Sequence, residues 1–100
     1  MTDSHRCPAC RAPWRGVATC QRCGAELAPL MRLVMRAWTL REAARAALVA
    51  GEGATALARA QAACRLERTP RALRLLALAL ATTGRGADAR ELVRRLDSSR

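Results

Sequence analysis

The chain contains no lysine, no phenylalanine and no tyrosine, and Trp14 and Trp38 are its only large aromatic side chains. Much of its hydrophobic content is alanine, which favours helices but buries little apolar area. We therefore expect a thin core that needs help from a metal, a partner or self-association. One hundred residues limit the chain to one domain or to two small modules, too little for a large enclosed active site.

Long apolar stretches are also lacking. The longest, Leu75 to Ala81, is far shorter than the roughly 20 residues that cross a bilayer. The N-terminal segment MTDSHRCPAC has neither the apolar region nor the cleavage site of a secretory signal. We expect a cytoplasmic protein without a membrane span. In that reducing compartment, paired cysteines favour metal binding or catalysis over structural disulfides.

The positive charge is carried by arginine alone, with 18 basic residues against 8 acidic ones and a net charge of +10. A site selected only for positive charge would normally mix lysine and arginine. The all-arginine usage, together with abundant alanine and glycine, is typical of the coding bias of a GC-rich genome. The charge is sufficient to attract polyanions, but it does not distinguish an acidic protein from a nucleic acid.

Four of the five cysteines lie in CPACRAPWRGVATCQRCG, residues 7–24, as two C-x-x-C pairs separated by nine positions. Two such turns facing each other supply a tetrahedral cage of four sulfurs, which Zn²⁺ accepts. We predict one structural Zn²⁺ held by Cys7, Cys10, Cys20 and Cys23. Four cysteines leave no coordination position for water or substrate, so we do not expect an enzyme. Iron, a redox dithiol and disulfides remain alternatives.

The cysteine pattern resembles short zinc ribbons and rubredoxin-type knuckles, with Arg11 at a position where the first knuckle usually has glycine. This resemblance implies a small β zinc ribbon over residues 1–28. Trp14 lies between the two pairs, where we expect it to cover the sulfurs, with base stacking as the alternative.

A repeat follows, because GEGATA at 51–56 returns as GRGADA at 84–89, an offset of 33 residues. Each unit predicts a helix, a glycine turn and a second helix. Gly51 and Gly84 are predicted to end the first helices in the left-handed conformation, and Gly53 and Gly86 to begin the second ones. The pair Thr69–Pro70 predicts the cap and first residue of the second unit.

This period, with small residues at the helix crossings, resembles the tetratricopeptide repeat. We predict a mainly α protein in which the ribbon is followed by a helical domain over 29–100. The repeat units cover about 40–69 and 70–98, after one preceding helix. Two units are fewer than the three usually required, so their ends need cover. The candidates are the preceding helix with the cysteine module, and a partner beside the last helix, 87–96.

The preceding segment is ambiguous. Its apolar side rotates by about 100° near Thr39, and the stretch Thr39 to Glu42 matches a capping box. We predict one helix near 29–38 and another near 40–50, with a single long helix as the alternative. Both versions bury Trp38.

Together these features predict a non-enzymatic protein-interaction adaptor or a small accessory subunit of a larger assembly. The alternative is a basic RNA- or DNA-associated protein, attached to the ribosome or the transcription apparatus, that uses the ribbon and an arginine-rich face. Homo-oligomerisation is left open. The candidate partner contacts are Trp14, Arg15, Arg41, Arg45, Arg71 and Arg74.

Overall fold

The computed structural model describes residues 5–98, which form four helices. These are α1 (Ala28–Val49), α2 (Gly53–Leu66), α3 (Pro70–Thr82) and α4 (Gly86–Ser98). The prediction of a mainly α protein is confirmed. Extended pairing within residues 5–98 is limited to two isolated antiparallel bridges, Arg6 with Pro13 and Thr19 with Glu26. The expected β ribbon is therefore not present as a sheet in this part of the chain.

Helix α1 is continuous, as in the alternative prediction, and Thr39 lies inside it. Its buried residues recur every three or four positions and form one stripe, consisting of Val34, Ala37, Arg41, Ala44 and Ala47. Trp38 lies beside this stripe and is 41% exposed, so the prediction that it is buried is wrong. The predicted break at Thr39 is also wrong, because Arg41 belongs to the buried stripe and the apolar face does not rotate there.

The ends of α1 and α3 repeat the same backbone geometry 33 residues apart. Gly51 and Gly84 have φ angles of 78° and 80°, in the left-handed region predicted for them. At both ends, the amide after the glycine donates to the carbonyl five residues earlier, at 2.8 and 2.9 Å. The glycine amide donates to the carbonyl three residues earlier, at 3.1 and 3.4 Å. This pair of bonds is the Schellman motif, which satisfies the last carbonyls of each helix.

The starts of the later helices also follow the sequence. Gly53 and Gly86 are the first residues of α2 and α4, as predicted. Thr69 is the N-cap of α3, and its side-chain oxygen accepts the N–H of Ala72 at 3.2 Å, with Pro70 in the first turn. The cap satisfies an amide that has no partner within the helix.

The helical repeats pack through two small clusters. The first joins α1, α2 and α3 and contains Ala44, Ala47, Ala56, Ala60, Leu75 and Ala79. The second joins α3 and α4 and contains Ala77, Leu80 and Ala89. Leu57 and Leu76 pack against both clusters. Alanine dominates these contacts, so the core is as thin as the composition predicts.

The chain divides into two compact parts between Met35 and Arg36. The N-terminal part includes the cysteine-rich segment and the first two turns of α1. Leu30, Met31 and Val34 of those turns pack in the same cluster as Cys7 and Cys20. The sequence predicts a domain boundary between residues 28 and 29, and α1 begins at Ala28. The two predicted domains, 1–28 and 29–100, stay a prediction.

Candidate metal centre and helical groove

The two C-x-x-C turns have the same backbone hydrogen bonds, 13 residues apart. The residue after each second cysteine, Arg11 or Gly24, donates its N–H to the carbonyl of the first cysteine at 2.9 Å. Each first cysteine, Cys7 or Cys20, donates its own N–H to the carbonyl five residues later, at 2.9 and 2.8 Å. The two isolated bridges follow the same offset. Each cysteine pair is thus held by a closed turn whose geometry the other reproduces.

The offset of 13 extends to the core of this unit. Trp14 donates its backbone N–H to the carbonyl of His5 at 3.1 Å, and Leu27 makes the equivalent bond to Ala18. Trp14 and Leu27 are both buried in the cluster around the cysteines. Sequence analysis missed this equivalence, although the matching strings C-x-x-C-x-A-x-W and C-x-x-C-x-A-x-L carry the signal.

The four sulfurs converge. All Sγ atoms of Cys7, Cys10, Cys20 and Cys23 lie within 4.8 Å of one another. The Sγ atoms of Cys7 and Cys23 are 3.6 Å apart, and those of Cys10 and Cys20 are 3.7 Å apart. A tetrahedral Zn²⁺ with bonds of about 2.3 Å separates its sulfur ligands by about 3.8 Å. The predicted ligand set is therefore brought together at distances that fit a tetrahedral metal ion.

The surroundings of Cys20 and Cys23 shift the pKa values of these two thiols in opposite directions. The N–H groups of Cys23 and Arg22 lower the pKa of Cys20 to about 6. The N–H of Ala25 also lowers the pKa of Cys23, but desolvation and the three neighbouring sulfurs together raise it to about 12. Four thiolates at these separations repel one another, and a divalent cation between them removes that repulsion. The donor set thus fits a metal better than four free thiols.

Arg11 and Gly24 share a strained position. Arg11 has a φ of 66°, the only positive value at a non-glycine residue between residues 5 and 98, and Gly24 has a φ of 77°. The turn requires a left-handed residue at this point, which glycine adopts without the steric cost that a Cβ introduces. The arginine noted in the sequence is therefore accommodated at an energetic cost and does not change the turn.

Trp14 belongs to the core of the cysteine module. It is 7% exposed, its indole Nε1–H donates to the carbonyl of Val17 at 2.9 Å, and its ring meets His5 edge to face at 5.9 Å. The expectation that Trp14 covers the sulfurs is confirmed. A role for Trp14 in partner binding stays a prediction.

Arg41 is also buried, at 4% exposure, and lies 3.9 Å from a carboxylate oxygen of Glu67. Burial lowers the pKa of Arg41, and Glu67 acts in the opposite direction. Arg41 therefore faces the interior of the repeats, and a role in partner binding stays a prediction for it. The other predicted arginines, Arg15, Arg45, Arg71 and Arg74, are exposed. Arg45 forms an ion pair with Glu42, and partner binding by these four residues stays a prediction.

A second feature is an open groove of about 450 Å³ between α3 and α4. Its wall is apolar and is formed by Ala77, Leu78, Ala81, Ala89 and Val93. Its rim is basic and is formed by Arg74, Arg90 and Arg94. The groove lies on the helix where the sequence predicted a partner, although the residues of its wall were not singled out. We call it the α3–α4 groove.

Comparison with known proteins gives no match to a family model, to a curated protein or to a solved structure. The resemblances to a zinc ribbon and to the tetratricopeptide repeat are therefore carried forward as proposals. None of the helices described here is both long and apolar enough to cross a membrane.

Proposed function

We propose that this protein is a non-enzymatic adaptor or a small accessory subunit of a larger assembly, located in the cytoplasm. In this proposal the cysteine module holds one structural Zn²⁺. The helical pairs, arranged in the manner of tetratricopeptide repeats, dock a protein partner. The observation that carries the proposal is the α3–α4 groove, an apolar surface bordered by arginines.

The structural role of the metal follows from the ligands. Four sulfurs within 4.8 Å of one another fill a tetrahedral coordination sphere, so the bound ion has no open position for water or substrate. Its contribution is to folding, because binding of about 10–16 kcal/mol in comparable sites stabilises modules that have little core. Cys7, Cys10, Cys20 and Cys23 would hold the ion, and Trp14 with Leu27 would shield it.

Elemental analysis of purified protein tests the metal. We expect one zinc per chain, lost when Cys10 and Cys20 are both replaced by serine, and retained in the control Cys64→Ser. Cys64 is a suitable control because it lies in α2, outside the cluster of four sulfurs. If the purified protein instead contains one coloured iron per chain, the bound metal is iron and not zinc. Metal-free protein with reversibly oxidised cysteines would refute the structural site.

The adaptor role is supported by the exposed apolar side chains of the groove. Leu78 is 57% exposed and Val93 is 43% exposed, and they line one surface together. Contiguous apolar patches rimmed by polar groups are typical of interaction sites. Because the core is alanine-rich, covering this surface would also add stability that the isolated chain lacks.

Affinity capture from the source organism, with and without nuclease, tests the adaptor. We expect a defined set of proteins that is recovered in stoichiometric amounts after nuclease treatment. Loss of every partner on nuclease treatment would contradict the adaptor and favour the alternative.

The alternative function is nucleic-acid binding. It is supported by the exposed arginines around the turn between the repeat units, Arg59, Arg65, Arg68, Arg71 and Arg74. Binding of this kind depends on phosphate contacts, so its affinity falls steeply with salt. A mobility shift on RNA or DNA that disappears with rising salt, and that is lost in Arg68→Glu with Arg71→Glu, would favour it over the adaptor.

A further inference from the structure

Comparison of the two repeat units indicates which kind of element fits the α3–α4 groove. The equivalent groove of the first repeat unit is filled by a helix. The groove between α1 and α2 is lined by Ala44, Ala56 and Ala60, and α3 covers it with Leu75 and Ala79. Moving these lining residues by 33 positions gives Ala77, Ala89 and Val93, which line the α3–α4 groove. The same backbone motif thus appears once with a covering helix and once without one in residues 5–98.

The difference in cover between the two grooves is seen in the solvent exposure of equivalent residues. Ala60 is fully buried, whereas Val93, its equivalent, is 43% exposed. The change from alanine to the larger valine adds apolar surface at the position where the cover is missing. On the neighbouring helix, Leu78 adds a second apolar side chain at a position that is Arg45 in the first unit. The second groove is therefore more apolar than the first and less covered.

The charged residues beside the two grooves indicate the charge of the element that would cover the α3–α4 groove. In the first unit Arg41 is buried beside Glu67, which lies just before the helix that fills the groove. Its equivalent, Arg74, is exposed at the rim of the α3–α4 groove. Neither Arg74 nor Arg90 forms an ion pair with a carboxylate of the described residues, whereas Arg94 pairs with Glu91.

We propose that the α3–α4 groove binds an acidic amphipathic helix of a partner protein, in the position that α3 occupies on the first unit. The helix places leucine or alanine side chains, spaced three and four residues apart, against Ala77, Ala89 and Val93. A carboxylate at its N-terminal end pairs with Arg74, as Glu67 does with Arg41. This inference rests on the proposed adaptor function and adds the chemistry of the partner.

A second copy of the chain is a poorer occupant. The net charge of +10 makes two copies repel each other, and the rim that each copy would approach is itself basic. A head-to-tail contact between repeat stacks is heterologous and would give a ring or a filament, whereas a groove-to-groove contact would bring two basic rims together.

A synthetic peptide derived from the internal cover tests the inference. The probe is residues 67–83 carrying Arg68→Glu and Arg71→Glu, titrated into ¹⁵N-labelled, metal-loaded protein and followed by NMR and calorimetry. We expect amide shifts at Ala77, Ala81, Ala89 and Val93. The unmodified peptide should bind at least about threefold more weakly, because two arginines then face the basic rim.

Two variants and two matched controls locate the site. Val93→Asp should weaken peptide binding about tenfold or more, because it places a carboxylate in the apolar wall. Arg74→Glu should weaken it severalfold and lower its dependence on salt. The controls are Val49→Asp, at a valine that is 90% exposed, and Arg59→Glu, at an exposed arginine of α2, and both should leave binding unchanged. Val93 is itself exposed, so its variant should still fold, which circular dichroism verifies.

Several results would overturn the inference. They are amide shifts confined to α1 and α2, equal binding of both peptides, and unchanged binding by Val93→Asp. A concentration-dependent increase in mass that Val93→Asp abolishes would assign the groove to a second copy instead.

The same variants separate this inference from the adaptor proposal. If captured proteins remain bound to Val93→Asp and Arg74→Glu, the adaptor stands and the groove assignment is wrong. If no protein partner remains bound after nuclease treatment, the adaptor proposal itself is refuted.

Discussion

Replacing Arg11 by glycine should tighten metal binding. Arg11 occupies the left-handed position of the first cysteine turn with φ 66°, and Gly24 occupies the equivalent position of the second with φ 77°. The substitution keeps the hydrogen bond that the Arg11 carbonyl accepts from the Arg6 side chain at 3.1 Å, because that carbonyl belongs to the backbone. The lost side chain is exposed, so the principal change is the removal of strain at φ.

The magnitude follows from two opposing effects. A left-handed conformation costs a residue with a Cβ about 1–2 kcal/mol. Glycine loses more conformational entropy on folding, by about 0.5–1 kcal/mol. The net gain is about 0.5–1 kcal/mol, or about two- to fivefold in affinity. Because metal binding and folding of such a module are coupled, the gain is seen as tighter Zn²⁺ binding.

Competition with a chromophoric chelator measures this difference. Gly24→Ala provides the reverse test, because a Cβ added at Gly24 meets no atom within 4 Å and only the backbone conformation is penalised. Arg15→Gly is the control, since Arg15 is exposed and does not have a positive φ. Weaker zinc binding in Arg11→Gly, or equal changes in Arg11→Gly and Arg15→Gly, would refute the reasoning.

Three further changes test the helical repeats. Thr69→Ala should lower the free energy of unfolding by about 1 kcal/mol through loss of the α3 cap, whereas the exposed Thr55→Ala should not, and urea unfolding that gives equal values would contradict this. Leu75→Ala should cost about 2–4 kcal/mol because Leu75 is 5% exposed, against about 0.5 kcal/mol for Leu78→Ala at 57% exposure; similar losses for both would contradict the packing. In metal-loaded protein, Cys64 should react with iodoacetamide more slowly than glutathione does at pH 8, because burial raises its pKa and lowers its thiolate fraction; an equal rate by mass spectrometry would show that it is not shielded.

The features predicted best from the sequence are those that depend on one residue and its backbone. Gly51 and Gly84 end their helices because the Schellman motif needs a left-handed residue, and Thr69 caps α3 through its own side chain. Each C-x-x-C spacing likewise predicts its own closed turn, in which Arg11 or Gly24 donates its N–H to the carbonyl of the first cysteine. In these cases the residue type and its spacing determine the outcome without knowledge of the rest of the fold.

The features that could not be predicted depend on what packs against a residue. The cysteine module was expected to form a β ribbon, but its turns close on themselves and meet through Trp14 and Leu27, leaving isolated bridges. The equivalence of the two turns was visible in the sequence. The burial of one large side chain from each turn was not, because it requires the turns to be placed together first.

Arg41 shows how one such residue affects a longer prediction. Treated as a solvent-facing cation, it interrupts the apolar stripe of α1, and this interruption predicts a break at Thr39. With Arg41 buried beside Glu67, the stripe from Val34 to Ala47 is continuous. Its repeat equivalent Arg74 has the same side chain and the same place on its helix, yet it is exposed. The cover comes from the following unit, which Arg41 has and Arg74 lacks among the described residues. A repeat therefore predicts the backbone of each unit, while the burial of each side chain depends on the neighbour that covers it.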